Sequence, residues 1–355
     1  MHRVMIYPAS YQNCREAVDR AFEIFPQQIA GKKVVIKPNV LRSSRADEHI
    51  VTHPKLLRAV VEKVEGMSPA EIVVGDNPGL FSYGDNENSF EKTGLMEAAK
   101  GHYRNLGDTS RNLAFNADFM PQVGVSSQIL EADILISLPK FKTHGLTVMT
   151  GAIKNSYGIL PGAQKARLHQ IAGTPERFHD LIVDVFRLRV PDLFIMDAVV
   201  GMQGNGPAST DLREIGLVLA AANAVALDGV VARMMGLEPG RLRFLQKAKA
   251  MGLGDYDPQM IQIDGDLPIL PDFKLPPLGG EAISSNSAIQ ELMQSKVRLR
   301  PRADPDRCTG CGTCVEHCPA AALSMPEDLP IADTQLCVTC FCCQEICPEQ
   351  AMALS

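Results

Sequence analysis

No cysteine separates Cys14 from Cys308, and that gap excludes a disulfide framework, which would spread its cysteines along the fold to close loops. No apolar run approaches the length needed to cross a bilayer, and the stretch from Met1 to Ser10 lacks the apolar core and small-residue cleavage site of a secretory signal. A cytoplasmic protein without membrane contact is the expectation. Positive charge is not in surplus either: 35 Lys and Arg against 41 Asp and Glu leave a formal charge of −6. A nucleic-acid partner is therefore not expected, because neutralising a phosphate backbone needs concentrated Lys and Arg. Also missing are a G-x-x-x-x-G-K-[ST] phosphate loop, which argues against a conventional ATPase, and a G-x-S-x-G nucleophile elbow.

What is present begins with 355 residues, 45% hydrophobic and 21% charged, the composition of a globular chain too long for one ordinary core. Nine of the ten cysteines fall within residues 308–347, a density that signals a metal site. Cys308, Cys311, Cys314 and Cys318, followed by Pro319, have the spacing C-x2-C-x2-C-x3-C-P, and Cys337, Cys340, Cys343, Cys347 and Pro348 repeat it. Three thiolates two residues apart can wrap one face of an iron-sulfur cube, while the fourth, before proline, turns to the other cube. Cluster one is thus assigned to Cys308, Cys311, Cys314 and Cys347, and cluster two to Cys337, Cys340, Cys343 and Cys318. Gly310 and Gly312 let the backbone curl tightly at the first cluster. A structural zinc site is the rival reading, since C-x2-C pairs also make tetrahedral zinc centres, but a doubled four-cysteine motif ending twice in Cys-Pro favours two [4Fe-4S] clusters. Cys342 falls outside the spacing and reads as a small thiol packed beside a cluster; His317 and Phe341 read as cover for the clusters.

The larger part repeats a theme in which a short β-branched strand ends in a polar loop and a helical pattern follows. That alternation predicts an α/β layered domain with a largely parallel sheet. Strands are expected at 33–37, 71–75, 132–138 and 192–196, and helices at 14–25, 54–65, 91–100, 177–189 and 224–235, where apolar residues recur at helical spacing. The Pro-rich run 268–280 reads as a linker or wrapping segment, with a short helix near 287–296. Domain limits follow: an α/β domain at 1–275, a linker at 276–299 and a small α+β ferredoxin-like module at 300–355.

The strings Val34-Val-Ile-Lys37-Pro-Asn39, Gly75-Asp-Asn-Pro-Gly79, Leu138-Pro-Lys140-Phe-Lys142-Thr-His144, Thr150-Gly-Ala-Ile-Lys154-Asn155, Gly201-Met-Gln-Gly204-Asn-Gly206-Pro207 and Ala224-Val-Ala-Leu-Asp228 resemble the domain of unknown function numbered 362. The resemblance spans approximately residues 3 to 270. It implies an α/β architecture, often fused to a two-cluster ferredoxin of this kind, and a redox role without an established reaction.

Ligands of open α/β sheets bind beyond the carboxyl ends of the strands, so the loops at 38–39, 76–79 and 139–140, and the glycine-rich loop after Asp197, are where a site is expected. From Ile134 to Pro175 there is no Asp or Glu, while Lys140, Lys142, Lys154, Lys165, Arg167, His144 and His169 are all present. That asymmetry suggests a pocket for a phosphate, carboxylate or similar anion; a solvated basic face is the alternative. Lys140, His144 and Lys154 are the catalytic candidates, because Lys and His deliver protons near neutral pH once desolvated. Lys37, Asn39, Asp76, Lys142, Asn155 and His169 are the candidates for holding the ligand. Asp76, Asp197 and Asp228 at strand ends or helix starts read first as caps. Tyr157 reads as a half-buried aromatic, and the glycines at 201, 204 and 206 suggest close backbone approach to a ligand.

The functional expectation is an iron-sulfur oxidoreductase that takes electrons from a soluble partner protein and passes them through two clusters to an anionic substrate or cofactor. The alternative is a non-catalytic electron carrier or cofactor-assembly factor that docks on a partner enzyme.

Overall fold

The computed structural model describes residues 1–78, 85–172, 174–276, 300–318, 320–337, 342–347, 349 and 351–354. Eleven strands precede the cysteine-rich end: β1 His2–Pro8, β2 Lys33–Pro38, β3 Glu71–Val74, β4 Ser110–Ala114, β5 Gln122–Ser126, β6 Ile134–Leu138, β7 Lys140–His144, β8 Val148–Met149, β9 Leu193–Met202, β10 Leu212–Ala221 and β11 Ile261–Asp264. The main sheet runs β11-β1-β10-β9-β6-β2-β3, with β7 and β8 branching from β9. β9, β6, β2 and β3 are parallel neighbours, whereas β10 is antiparallel to both β9 and β1. The sheet is therefore mixed but mostly parallel.

Central strands are apolar on both faces, as a sheet covered by helices on both sides requires. Val34 and Ile36 of β2 point into one core and Val35 into the other; Met5 of β1 faces the first core, and Val4 and Ile6 face the second. The first core is covered by helices Cys14–Ile24 and Pro54–Glu65, the second by Pro175–Phe186, Ala224–Met234 and Arg243–Ala250. Their starts are set locally. Pro occupies the first turn at Pro54 and Pro175, the latter with the Thr174 side chain accepting from Arg177 N–H, and Asn223 accepts from Ala226 N–H at 3.0 Å.

The helix expected at 91–100 is instead two helices, Asp85–Lys92 and Leu95–Ala98, divided by Gly94 at φ 78°. A left-handed residue cannot continue a right-handed helix, and glycine adopts it without a Cβ penalty. Helices Gly162–Ala172 and Arg243–Ala250 were not expected from the periodicity. Neither were β1 and β10, which tie the sheet together from distant parts of the chain. The wrapping expectation fits residues 268–276: Leu270 N–H bonds Met234 O, and Gly204 N–H bonds Lys274 O. Residues 277–299, with the helix expected near 287–296, lie outside the described residues.

The cysteine-rich end folds as two short antiparallel ladders, β12 Pro301–Ala303 with β15 Met352–Leu354 and β13 Leu323–Ser324 with β14 Ile331–Ala332. Helices Thr313–Glu316 and Cys342–Ile346 pack against one another between them.

Candidate functional site: a basic cleft beside a cysteine module

All four parallel central strands point the same way, so the loops leaving β2, β3 and β6 meet on one edge with the β7 branch. There they form a cleft with about 610 Å³ of empty space, part of it open to solvent. Asn39 and Asp76 come from the loops after β2 and β3, Lys142 from β7, Lys154 and Asn155 from helix Gly151–Asn155, and Lys165 and His169 from helix Gly162–Ala172.

The floor is a polar network. Lys37 Nζ and Asp76 Oδ1 form an ion pair at 2.7 Å in which both side chains are almost fully buried. Asp76 also accepts Val40 N–H at 2.8 Å and Asn77 N–H at 2.9 Å. Burial pushes Lys37 down and Asp76 up from their ordinary pKa values, and each charge opposes the shift of the other. Gly158 is obligatory here, since a Cβ at that position would stand 2.1 Å from Asp76 Oδ1 and 2.8 Å from Lys37 Nζ. Asn39 donates to Asn155 Oδ1 at 3.0 Å, and Asn155 donates to Ser137 Oγ at 2.9 Å. Lys142 Nζ donates to Ile50 O at 2.7 Å, and Lys165 Nζ donates to the carbonyls of Asn77 and Pro78. Burial lowers the Lys165 pKa to about 8; Asp76 holds it up, while Lys37 and Lys154 add to the fall. Tyr157, 5% exposed, donates its hydroxyl to Lys165 O at 2.9 Å and meets His169 edge-on.

Helix Gly151–Asn155, which carries two of these side chains, is anchored by Asp228. That carboxylate accepts Ala152 N–H at 2.6 Å and Ile153 N–H at 3.0 Å. The capping reading of Asp228 is what the structure shows, although the cap arrives from a different helix. Burial raises its pKa to about 7 against the pull of those two amides.

Lys140 and His144 do not line the cleft. Lys140 is fully buried and pairs with Asp197 Oδ2 at 2.9 Å and Tyr11 Oη at 3.0 Å. Tyr11 in turn donates to Asp197 Oδ1 at 3.0 Å and stacks on His53 with ring centroids 3.7 Å apart, with His49 beyond. Burial lowers the His53 pKa to about 4 and raises that of Tyr11. His144 Nδ1 accepts Leu146 N–H at 3.1 Å and Thr147 N–H at 3.3 Å, a role in shaping the turn between β7 and β8. Tyr11, His49 and His53 carry no sequence signal, because the strand partners that gather them lie far apart along the chain. The glycines at 201 and 206 approach protein rather than an open site: a Cβ on Gly206 would lie 2.2 Å from Thr143 O, and one on Gly201 2.5 Å from Ile215.

In the cysteine module, Cys308, Cys311, Cys314 and Cys347 line one cavity with about 320 Å³ of empty space. Three come from the first motif and one from the second. Among the described residues, no three His, Cys, Asp or Glu side chains stand close enough together to hold a single ion. Four thiols around a shared cavity suit a cube of iron and sulfide. Gly310 at φ 68° and Gly312 at φ 75° make the tight curl. The two halves repeat each other in detail: Cys308 N–H bonds Asp304 O and Cys337 N–H bonds Asp333 O, each at 2.9 Å. Ala322 donates N–H to Cys318 Sγ at 3.2 Å, and Ala351 to Cys347 Sγ at 3.3 Å. Cys318 and Cys343 pack in the same small core as Cys314 and Cys347, and Cys337 is partly exposed. His317 hydrogen-bonds Thr313 O within its own turn. Cys340 and Phe341 lie outside the described residues. Cys342, 9% exposed, lines the basic cleft of the α/β domain.

Comparison with known proteins finds two families along the chain. Residues 34–233 match the family described as "Domain of unknown function (DUF362)", and residues 301–324 match "4Fe-4S binding domain". A thylakoid-associated protein of Synechocystis sp. is 30% identical over 237 residues, 63% of this chain and 69% of that protein. A probable ferredoxin of Methanosarcina thermophila is 56% identical over 27 residues, 8% of this chain and 47% of that protein. Among solved structures, a Thermotoga maritima protein superposes with TM-score 0.35 and 10% identity, covering 55% of this chain and 52% of its own. The lactate racemase apoprotein from Thermoanaerobacterium thermosaccharolyticum superposes with TM-score 0.38 and 12% identity, covering 64% and 55%. Both likenesses are loose, and this chain spans about half the length of each. Among the described residues, no helix is long and apolar enough to cross a membrane.

Proposed function

Because the chain belongs to the DUF362 family and ends in a 4Fe-4S binding domain, we propose that it is an iron-sulfur oxidoreductase acting on an anionic substrate or cofactor in the basic cleft. The observation that carries this reading is that Cys342, neighbour of Cys343, lines the cleft together with Lys142, Lys154 and Lys165. An electron carrier needs only exposed clusters; a cleft with concentrated positive charge against the cysteine module favours a bound substrate. The repeat of backbone-to-sulfur and Asp-to-Cys hydrogen bonds in both halves supports two [4Fe-4S] clusters, the second held by Cys337, Cys340, Cys343 and Cys318. When bound, the clusters accept and release single electrons, received from a soluble cytoplasmic donor.

The chain's own residues supply the rest. Lys142, Lys154 and Lys165 neutralise the ligand's charge, and Asn39 and Asn155 fix its orientation through amides already locked to each other and to Ser137. Lys165 is the proton donor, at Nζ, because a pKa of about 8 lets it hold a proton at neutral pH and still part with it. Lys140 acts at a distance, holding Asp197, which in turn receives His53 N–H at 2.9 Å and fixes the loop after β2. The test is anaerobic purification of the full chain, iron and sulfide analysis, and mass spectrometry of the small molecules it releases. About eight iron per chain with an anionic ligand lost in Lys154→Gln and Lys165→Gln supports the reading; zinc in place of iron, or an anion retained equally by both variants, refutes it.

A further inference from the structure

Helix Cys342–Ile346 belongs to the cysteine module, yet its first residue forms part of the cleft wall of the other domain. Cys342 is the one cysteine of the module that the cluster spacing leaves without a task. A second feature of the same wall points to a ligand. Thr150 is 3% exposed, lines the cleft, and its hydroxyl has no hydrogen-bond partner among the described residues. Asn39 Oδ1, also on the cleft wall, is likewise without one. A buried hydroxyl left in that state costs free energy that an incoming oxyanion recovers.

We propose that Cys342 is the partition between an oxyanion bound in the cleft and the cluster held through Cys343, and that the two charges oppose each other across it. The inference rests on the function proposed above and deepens it. An electron added to the cluster adds one negative charge, and unit charges about 10 Å apart at an effective dielectric constant of about 20 shift an equilibrium roughly tenfold. The coupling is reciprocal: if reduction weakens the anion, the anion makes reduction harder by the same factor. No bond forms or breaks. One electron from a low-potential one-electron donor takes the cluster from the 2+ to the 1+ state, and the oxyanion keeps its own charge. An occupied cleft therefore makes the neighbouring cluster a stronger reductant, directing its electron to the ligand that caused the change.

Inorganic phosphate is the probe, used on the anaerobically purified full chain. Its affinity is measured by calorimetry on oxidised and dithionite-reduced protein, midpoint potentials by redox titration followed by electron paramagnetic resonance, and Cys342 alkylation by iodoacetamide followed by peptide mapping. The expected result is roughly tenfold weaker phosphate binding after reduction, matched by a fall of about 59 mV in one midpoint potential. Cys342 alkylation slows at least severalfold with phosphate bound, and Lys154→Gln removes all three effects. Equal affinity in both redox states with unmoved potentials, or phosphate binding that leaves Cys342 alkylation unchanged, overturns the inference while the anion cleft stands. Absence of phosphate binding in either state refutes the cleft reading itself and this inference with it.

Discussion

Asp228 sets up a dependence of stability on pH that runs against the usual direction for a carboxylate. Its side chain is fully buried, and the amides of Ala152 and Ile153 are the groups that favour its charge. In the unfolded chain it loses its proton near 3.8, but in the folded chain near about 7. Between those values the unfolded chain binds fewer protons, so stability falls as pH rises, by about 1.4 kcal/mol per pH unit, and levels off above about pH 7. The total is about 4 kcal/mol, of which about 2 to 3 kcal/mol lies between pH 5 and 8. Asp228→Asn abolishes the dependence while keeping one acceptor; its second position becomes an N–H facing an amide, a constant cost of about 1 to 3 kcal/mol. Anaerobic urea unfolding of both proteins at pH 5 and 8, followed by far-ultraviolet circular dichroism, isolates the term, because the cysteine module contributes equally to each. The wild type should lose about 2 to 3 kcal/mol more than the variant over that interval. Parallel curves would refute the burial cost assigned to Asp228.

Gly158→Ala forces a methyl group into the Lys37–Asp76 pair and should cost about 3 to 5 kcal/mol in urea unfolding, the range for breaking a buried ion pair. Lys140→Met leaves Asp197 buried without its cation, so a similar loss is expected, with anion affinity per folded molecule unchanged; a specific loss of binding would instead place Lys140 in the site. Sulfate, which does not itself titrate near neutrality, should bind with constant affinity up to about pH 7.5 and then weaken roughly tenfold per pH unit above the Lys165 value of about 8, as measured by calorimetry. Lys165→Gln should bind it weakly and without that pH dependence. Cys347→Ser should lower iron content by about four atoms per chain and perturb the cluster of the first motif, not the second; a change in the spectroscopic signature of the second alone would reverse the crossed assignment.

The α/β class and the presence of a 4Fe-4S binding domain were legible because both are written in local spacing: β-branched runs with polar ends, and thiols two residues apart. Residues Asn39, Asp76, Lys142, Lys154, Asn155 and His169 also meet as expected, since strand ends in a parallel sheet share one edge. Lys140 departs from that edge because it is drawn to Asp197, its partner across β9, and His144 because its ring takes the amides of the turn into β8. Residue spacing carries no warning of it, for a strand end and a branching strand look alike. Lys165 was visible as part of the acid-free stretch but not as a site lysine, since its helix, Gly162–Ala172, lacks a clear apolar stripe. The ring stack of Tyr11, His49 and His53 was invisible, because it depends on β1 and β10 closing the sheet.

The pairing of β1 with β10 joins Val4 to Ala221 and Pro8 to Leu217, partners separated by roughly two hundred residues. During synthesis at about 5 to 20 residues per second, the opening strand waits some ten to forty seconds for its neighbour. Throughout that interval Val4, Met5 and Ile6, all buried in the finished molecule, stay in water. The completed sheet is therefore a late event in the life of the nascent chain, and β1, synthesised well before β10, is among the last segments to find its place.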